Sequence, residues 1–238
     1  MTSLMTVDVL FSFLTLSVLE IVLGIDNLIF IAILVQNIRK EYRKKVRYIG
    51  LSIALIMRIL MLMGIGWIMS LTEPLFSVYS TDFSIKDLLM LAGGIFLIVK
   101  STLEIHFDLS GKHEQKKIVA RGGFFSAIVQ VIVIDLVFSF DSIITSIGMT
   151  LNIPVIVAAM CVAMVAMLVA SGYISHFLEH HPTFKMLALS FILMIGTLLL
   201  AEGFHVHVPR GYVYFSFAFS IFVEAMNTIA RSRSHKKK

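Results

Sequence analysis

The sequence predicts an all-α, polytopic membrane protein of seven transmembrane helices, built as two inverted three-helix repeats followed by one further helix. Three observations carry that expectation. Apolar residues make up 58% of the 238-residue chain, against about 45–50% in a soluble domain. Runs of roughly 20 apolar residues recur, each long enough to cross a hydrocarbon core ~30 Å thick. A pattern of acids in the first run returns in the fourth. Only 15% of residues are charged and the mean hydropathy is +0.92, so a single membrane-embedded domain spanning 1–238 is expected.

The first span covers about 8–37. No Lys or Arg precedes it, the first being Arg39, so it reads as a retained membrane helix and not as a cleaved signal peptide. The second, about 47–71, carries Arg58 well inside an apolar run. The third, about 86–105, holds Lys100 and ends on Glu104 and His106. These three form the first repeat, about 8–105. The second repeat, about 124–204, consists of spans at about 124–150, 153–178 and 184–204. The last of these ends on Glu202 and His205, as the third ends on Glu104 and His106. An extra helix at about 212–230 and a basic tail at 231–238 complete the chain.

The connections alternate in charge. The first, "RKEYRKKVR" (Arg39–Arg47), is densely basic, while the second, 72–85, has Glu73 and Asp82 and no base. Lys112, Lys116, Lys117 and Arg121 lie in the third. The fourth, at Asn152, has none; the fifth has Lys185 close by; the sixth has only Arg210; the tail is "RSRSHKKK". By the positive-inside rule the N-terminus lies outside and the C-terminus in the cytoplasm. The net charge of +5 therefore reflects membrane topology and an anionic lipid surface rather than nucleic acid. The single cysteine, Cys161, cannot form an internal disulfide.

Two stretches carry the chemistry. "LEIVLGIDNLIF" (Leu19–Phe30) contains Glu20 and Asp26, and "IDLVFSFDSIIT" (Ile134–Thr145) contains Asp135 and Asp141. Each pair is six residues apart. Asp26-Asn27 matches Asp141-Ser142, and Asn37 matches Asn152 at the same offset. A three-span unit repeated after an odd number of crossings must enter from the opposite side, the inverted topology of secondary transporters. Positions six apart on a straight helix lie about 120° apart, so the members of each pair do not share a face. Glu20–Gly24–Asn27 and Asp135–Ser139–Ser142 do, at i, i+4 and i+7. Asp26 and Asp141 join these stripes only where the helix opens, at Gly24 and at Ser139–Ser142.

A membrane-buried carboxylate costs roughly 2.5–3.5 kcal/mol on insertion scales, so cations, protons or basic partners must offset four of them. Arg58, Lys100, Glu104 and Glu202 are the candidate charge partners. A closed ion-pair network around Arg58 without any ligand is one reading. The other is a cation site of Glu20, Asp26, Asn27, Asp135, Asp141 and Ser142, whose hard oxygen donors suit Mg²⁺, Ca²⁺ or Mn²⁺. The histidines fall at span ends or in loops, and the fourteen methionines are scattered through apolar runs as packing residues. Neither an ATP-hydrolysis motif nor a nucleophile constellation marks an enzyme, and no tightly held cofactor is expected.

"LEIVLGIDNLIFIAILV", "VIDLVFSFDSIITSIG", "GGIFLIVKSTLEIH" and "HVPRGYVYFSFAFSIFVEAMN" resemble the signatures of the TerC family of integral membrane proteins, in its compact bacterial subgroup. The resemblance covers nearly the whole chain. It implies a seven-helix fold of the LysE-like transporter superfamily and, for several members, export of Mn²⁺; Glu20, Asp26 and Asn27 match the first motif, and Asp135, Asp141 and Ser142 the second. Other members are linked to tellurium resistance, metalation of exported proteins and membrane-protein assembly. The expectation is thus a bacterial inner-membrane exporter of a divalent cation, Mn²⁺ first, coupled to protons. The alternative is an assembly or metalation partner of exported proteins with no transport of its own. A small organic solute or oxyanion fits less well, because acids outnumber bases at the midplane. A homo-oligomer and other membrane proteins as partners are both compatible with the sequence.

The alternation of basic loops yields a topological test. A reporter fused after Lys238 should read cytoplasmic and one inserted near Ser77 external; the same side for both would remove the inverted repeat.

Overall fold

The computed structural model describes residues 2–64, 66, 70–78, 81–110 and 122–235. The first span is two helices, α1 (Thr2–Leu23) and α2 (Ile25–Leu34), followed by a 3-10 turn at Val35–Asn37. They meet at Gly24 with a bend of 41°, a usual place for a kink. The remaining helices are α3 (Lys40–Met63), α4 (Ile85–Leu109), α5 (Gly122–Met149), α6 (Ile153–His180), α7 (Pro182–Gly203) and α8 (Arg210–His235). Among the described residues six helices are long and apolar enough to cross a membrane, or seven spans with the bent pair taken as one.

The expected spans reappear with small shifts. The second begins earlier than the hydropathy suggested, because the basic cluster from Lys40 onward is itself helical. Its Arg43 is anchored there, donating to the carbonyls of Gln36 and Ile38 and pairing with Glu179 at 2.9 Å. The second connection also departs from a plain loop. It holds an antiparallel hairpin, β1 (Pro74–Val78) and β2 (Thr81–Ser84), with Phe76 stacked on Phe83. This small addition to the all-α expectation forms because both strands alternate around an aromatic pair across the ladder. Lys112, Lys116, Lys117 and Arg121 of the third connection, and 236–238 of the tail, lie outside the described residues.

The most extensive helix contact joins α4 and α7. A Cβ placed on Gly94 would sit 2.7 Å from the Gly196 carbonyl oxygen, and one on Gly196 3.0 Å from that of Gly94. Glycines let membrane helices come this close. Both ends of the pair are tied by charge. Lys185 Nζ lies 2.7 Å from Asp108 at one end, and His205 Nε2 lies 3.3 Å from Asp87 at the other. Asp87 also completes a capping box with Ser84, which starts α4. His205 occupies the left-handed region at φ 61° just after α7. Its contacts with Asp87 and the Phe83 ring hold it there.

The other principal contacts run between α3 and α5, α1 and α6, α2 and α6, and α3 and α6. The short helix α2 is the innermost element, buried from Asp26 to Leu34. By contrast α8 sits on the outside. It touches the bundle mainly at α7, where Phe217 stacks on Phe191 with ring centroids 3.9 Å apart.

Gly94→Val should lower the detergent melting temperature, costing about 1–3 kcal/mol, because the new side chain meets backbone rather than a movable group. Gly148→Ala, with nothing within 4 Å of the added Cβ, should leave it unchanged or slightly raised. Equal behaviour of the two variants would mean that the α4–α7 approach is not tight in the folded protein.

Candidate functional site

Four helices converge on one buried polar cluster. Glu20 stands one turn before the Gly24 bend and Asn27 in the first turn of α2; they are each 1% exposed. Arg58 comes from α3 and Asp135 from about halfway along α5, at 3% and 2%. The guanidinium bridges the two acids. It grips Asp135 with two nitrogens, Nε to Oδ2 at 3.0 Å and Nη2 to Oδ1 at 2.7 Å, and reaches Glu20 Oε2 with Nη1 at 3.1 Å. This fork geometry is what arginine offers and lysine does not.

Neutral donors complete the shell. Ser146 Oγ donates to Glu20 Oε1 at 2.9 Å, Asn27 Nδ2 to Asp135 Oδ1 at 2.9 Å and Ser139 Oγ to Asp135 Oδ2 at 3.0 Å. All four carboxylate oxygens of Glu20 and Asp135 thus accept hydrogen bonds. Within this shell the Asn27 side-chain carbonyl oxygen, fully buried, accepts none. Breaking such a buried pair by removing one partner typically costs 3–5 kcal/mol, since the other charge is stranded.

The six residues expected as one metal site are therefore distributed. Glu20, Asn27 and Asp135 meet around Arg58. Ser142, 3% exposed, follows on the same stripe and donates to the Ser139 carbonyl. Asp26 is 4% exposed and borders a narrow apolar crevice lined by Phe30, Leu97, Phe138, Phe191, Ile192 and Ile195. The Tyr214 hydroxyl of α8 donates to its Oδ2 at 3.4 Å. Asp141 is half-buried farther along α5. Among the described residues no three Asp, Glu, His or Cys side chains are gathered in a metal-holding arrangement.

The expected openings of the two acid helices also differ. The first span breaks at Gly24, whose added Cβ would lie 2.7 Å from Met167 Sδ of α6. The fourth does not break: α5 is helical without interruption through Ser139–Ser142. Serine side chains in that turn donate to carbonyls of the same helix, Ser139 to Asp135 and Ser142 to Ser139, and the helix stays continuous there.

Of the other charge partners, Lys100 lies 3.8 Å from Glu104, and both border a small cavity with Ser101, Leu189 and Ile192 beside α2. Glu202 stands half-buried in the last turn of α7. Sequence reasoning passed over Ser146 and Tyr214. Ser146 was findable, because it continues the Asp135–Ser139–Ser142 stripe by one more turn. Nothing local marks Tyr214, which reaches Asp26 only through the docking of α8.

Comparison with known proteins places these observations. The family model described as "Integral membrane protein TerC family" matches residues 5–238. The UPF0053 inner membrane protein YoaE of Escherichia coli K12 is 49% identical over 219 residues, 92% of this chain and 42% of that protein. This chain thus spans well under half of YoaE. The UPF0053 inner membrane protein YgdQ of the same strain is 43% identical over 220 residues, covering 92% of each chain. A UPF0053 protein of Haemophilus influenzae is 43% identical over 217 residues, 91% of this chain and 92% of that one. No solved structure matches.

The cluster makes Asp135 and Asp141 separable. Asp135→Asn weakens the two-nitrogen grip on Arg58, which Glu20 still balances, and should destabilise the protein by about 1.5–3 kcal/mol. Asp141→Asn, at a half-buried position, should keep the melting temperature within a few degrees of the parent. Equal melting temperatures for the two variants would mean that the bridge contributes little to stability.

Proposed function

This chain belongs to the TerC family of integral membrane proteins, and on that footing we propose that it is a bacterial inner-membrane transporter that exports a divalent cation, Mn²⁺ first, against protons. The observation that carries the reading is the meeting of Glu20 and Asp135 in one buried cluster. They occupy equivalent places in the two acid motifs, so each half of the chain contributes one carboxylate. The transported ion is substrate, held transiently by carboxylate and amide oxygens suited to a hard cation. The inner-membrane location agrees with YoaE and YgdQ being named inner membrane proteins.

Packing supports an inverted repeat. Exchanging the first span with the fourth, the second with the fifth and the third with the sixth turns each principal contact into another one. The α1–α6 contact becomes α5–α3, α2–α7 becomes α5–α4, and α4–α7 and α3–α6 map onto themselves. Such exchange is what a two-fold axis in the membrane plane produces. The charge count supports proton coupling. Glu20, Asp26, Asp135 and Asp141 set against Arg58 leave three formal negative charges; a divalent ion balances two, and a proton the third.

One observation favours a second reading, an assembly or metalation partner without transport. The oxygens of Glu20 and Asp135 are already satisfied by Arg58 and neutral donors, so the cluster also works as a purely structural tie.

Purified protein in vesicles decides between them. An imposed proton gradient should drive Mn²⁺ through the parent in the direction opposite to the proton flow. Asp26→Asn and Asp141→Asn should lose most of that flux while remaining folded, because a neutral amide is cheaper to bury than a charge. A parent protein that is inserted and folded yet moves no Mn²⁺ or Ca²⁺ would sink export and leave the partner role.

A further inference from the structure

The proposed transport raises the question of what neutralises the central acids when no ion is held, and the structure carries a candidate. We propose that Arg58 is a tethered cation that competes with the transported ion for Glu20 and Asp135 and takes its place on the return step of the cycle. This inference rests on the cation-transport reading and concerns the same cluster.

Four observations lead to it. The guanidinium lies between the two equivalent acids and contacts both, at 3.1 Å to Glu20 and 2.7 Å to Asp135. An incoming divalent ion could take those oxygens only by displacing it. The grip is also uneven. Asp135 receives two nitrogens and Glu20 one. Glu20 is therefore the acid released first, with Arg58 still held by Asp135. Beside them the Asn27 carbonyl oxygen, buried with no donor directed to it, is a further hard ligand for an ion paired with Glu20. Finally, the device is single. Span five, the counterpart of α3, has no Lys or Arg from Ile153 to His180, so one arginine serves both halves.

The physical role follows from charge. A cluster with two buried acids cannot readily change its exposure to the two sides of the membrane while bare. With either a divalent ion or Arg58 in place it can. Competition also lowers apparent affinity, since ion binding is limited to the fraction of molecules in which the arginine has let go. Arg58 would thus promote ion release and allow the empty carrier to return.

The test separates net export from exchange in vesicles holding the full chain. Arg58→Met should bind Mn²⁺ about tenfold more tightly by titration, having lost the internal competitor. Its net export should fall about tenfold or more, while exchange of Mn²⁺ for labelled Mn²⁺, which needs ion release but no ion-free return, falls several-fold less than net export. Arg58→Lys keeps the charge without the fork; its net export should slow more than its exchange. A purely structural arginine predicts something else, with net export and exchange falling together in both variants and no gain in affinity. That result, or parent-like behaviour of folded Arg58→Met, overturns the proposal. Should Arg58→Met fail to fold, the lysine variant decides alone, and equal loss of both rates is the adverse outcome. A parent protein that moves no cation at all rejects the transport reading itself, and the tethered-cation role with it.

Discussion

A carboxylate inside an apolar bundle needs a counter-charge, and in this protein one guanidinium is shared between two acids from distant parts of the chain. The Arg58 bridge to Glu20 and Asp135 fixes the relation of α1, α3 and α5. Once those three are registered, α2 must turn inward at Gly24, and its apolar residues from Leu28 to Leu34 fill the middle of the bundle. The hydrophobic interior is in this sense organised around a polar centre. The four carboxylate oxygens of Glu20 and Asp135 are all met, which limits the cost of burying the two acids.

The α4–α7 pair is held by a different physics. Here close backbone approach at Gly94 and Gly196 supplies dispersion contact over a long interface. Charge appears only at the two ends, at Lys185–Asp108 and His205–Asp87. The bundle thus combines one part joined through a central ionic cluster with another joined through small residues. Lying between them, α2 contacts both sides, and Asp26 sits where the crevice beside α7 begins.

Much of this was legible in the sequence because each feature has a local cause. Spans follow from runs of apolar residues, and the helix boundaries at Ile153 and near Lys86 fall within a residue or two of expectation. The i, i+4, i+7 stripes singled out Glu20 and Asn27 on one helix and Asp135, Ser139 and Ser142 on another, and Arg58 was evident as a base deep in an apolar run. Other features depend on contacts that periodicity does not encode. The first acid helix breaks at Gly24, where Met167 leaves no room for a Cβ, while the second runs on unbroken through Ser139–Ser142, a difference set by tertiary packing and not by the acid spacing that the two share. The hairpin at Pro74–Ser84 arises from a few alternating residues too short to stand out from a loop. Tyr214 meets Asp26 through tertiary docking alone.

The division of the central cluster among α1, α3 and α5 bears on how the chain is made. Synthesis proceeds from the N-terminus, so Glu20 enters the membrane before Arg58 exists, and Asp135 enters last. The first span has to be retained by the apolarity of its flanking residues, carrying its acids uncompensated or protonated. Insertion of α3 then supplies the counter-ion for Glu20. From that moment the arginine has a vacant second arm, which the nascent fourth span fills. Assembly is thereby templated: the later helices dock onto a charge already positioned by the earlier ones, and a bundle that stops before α5 leaves Arg58 without its two-nitrogen partner.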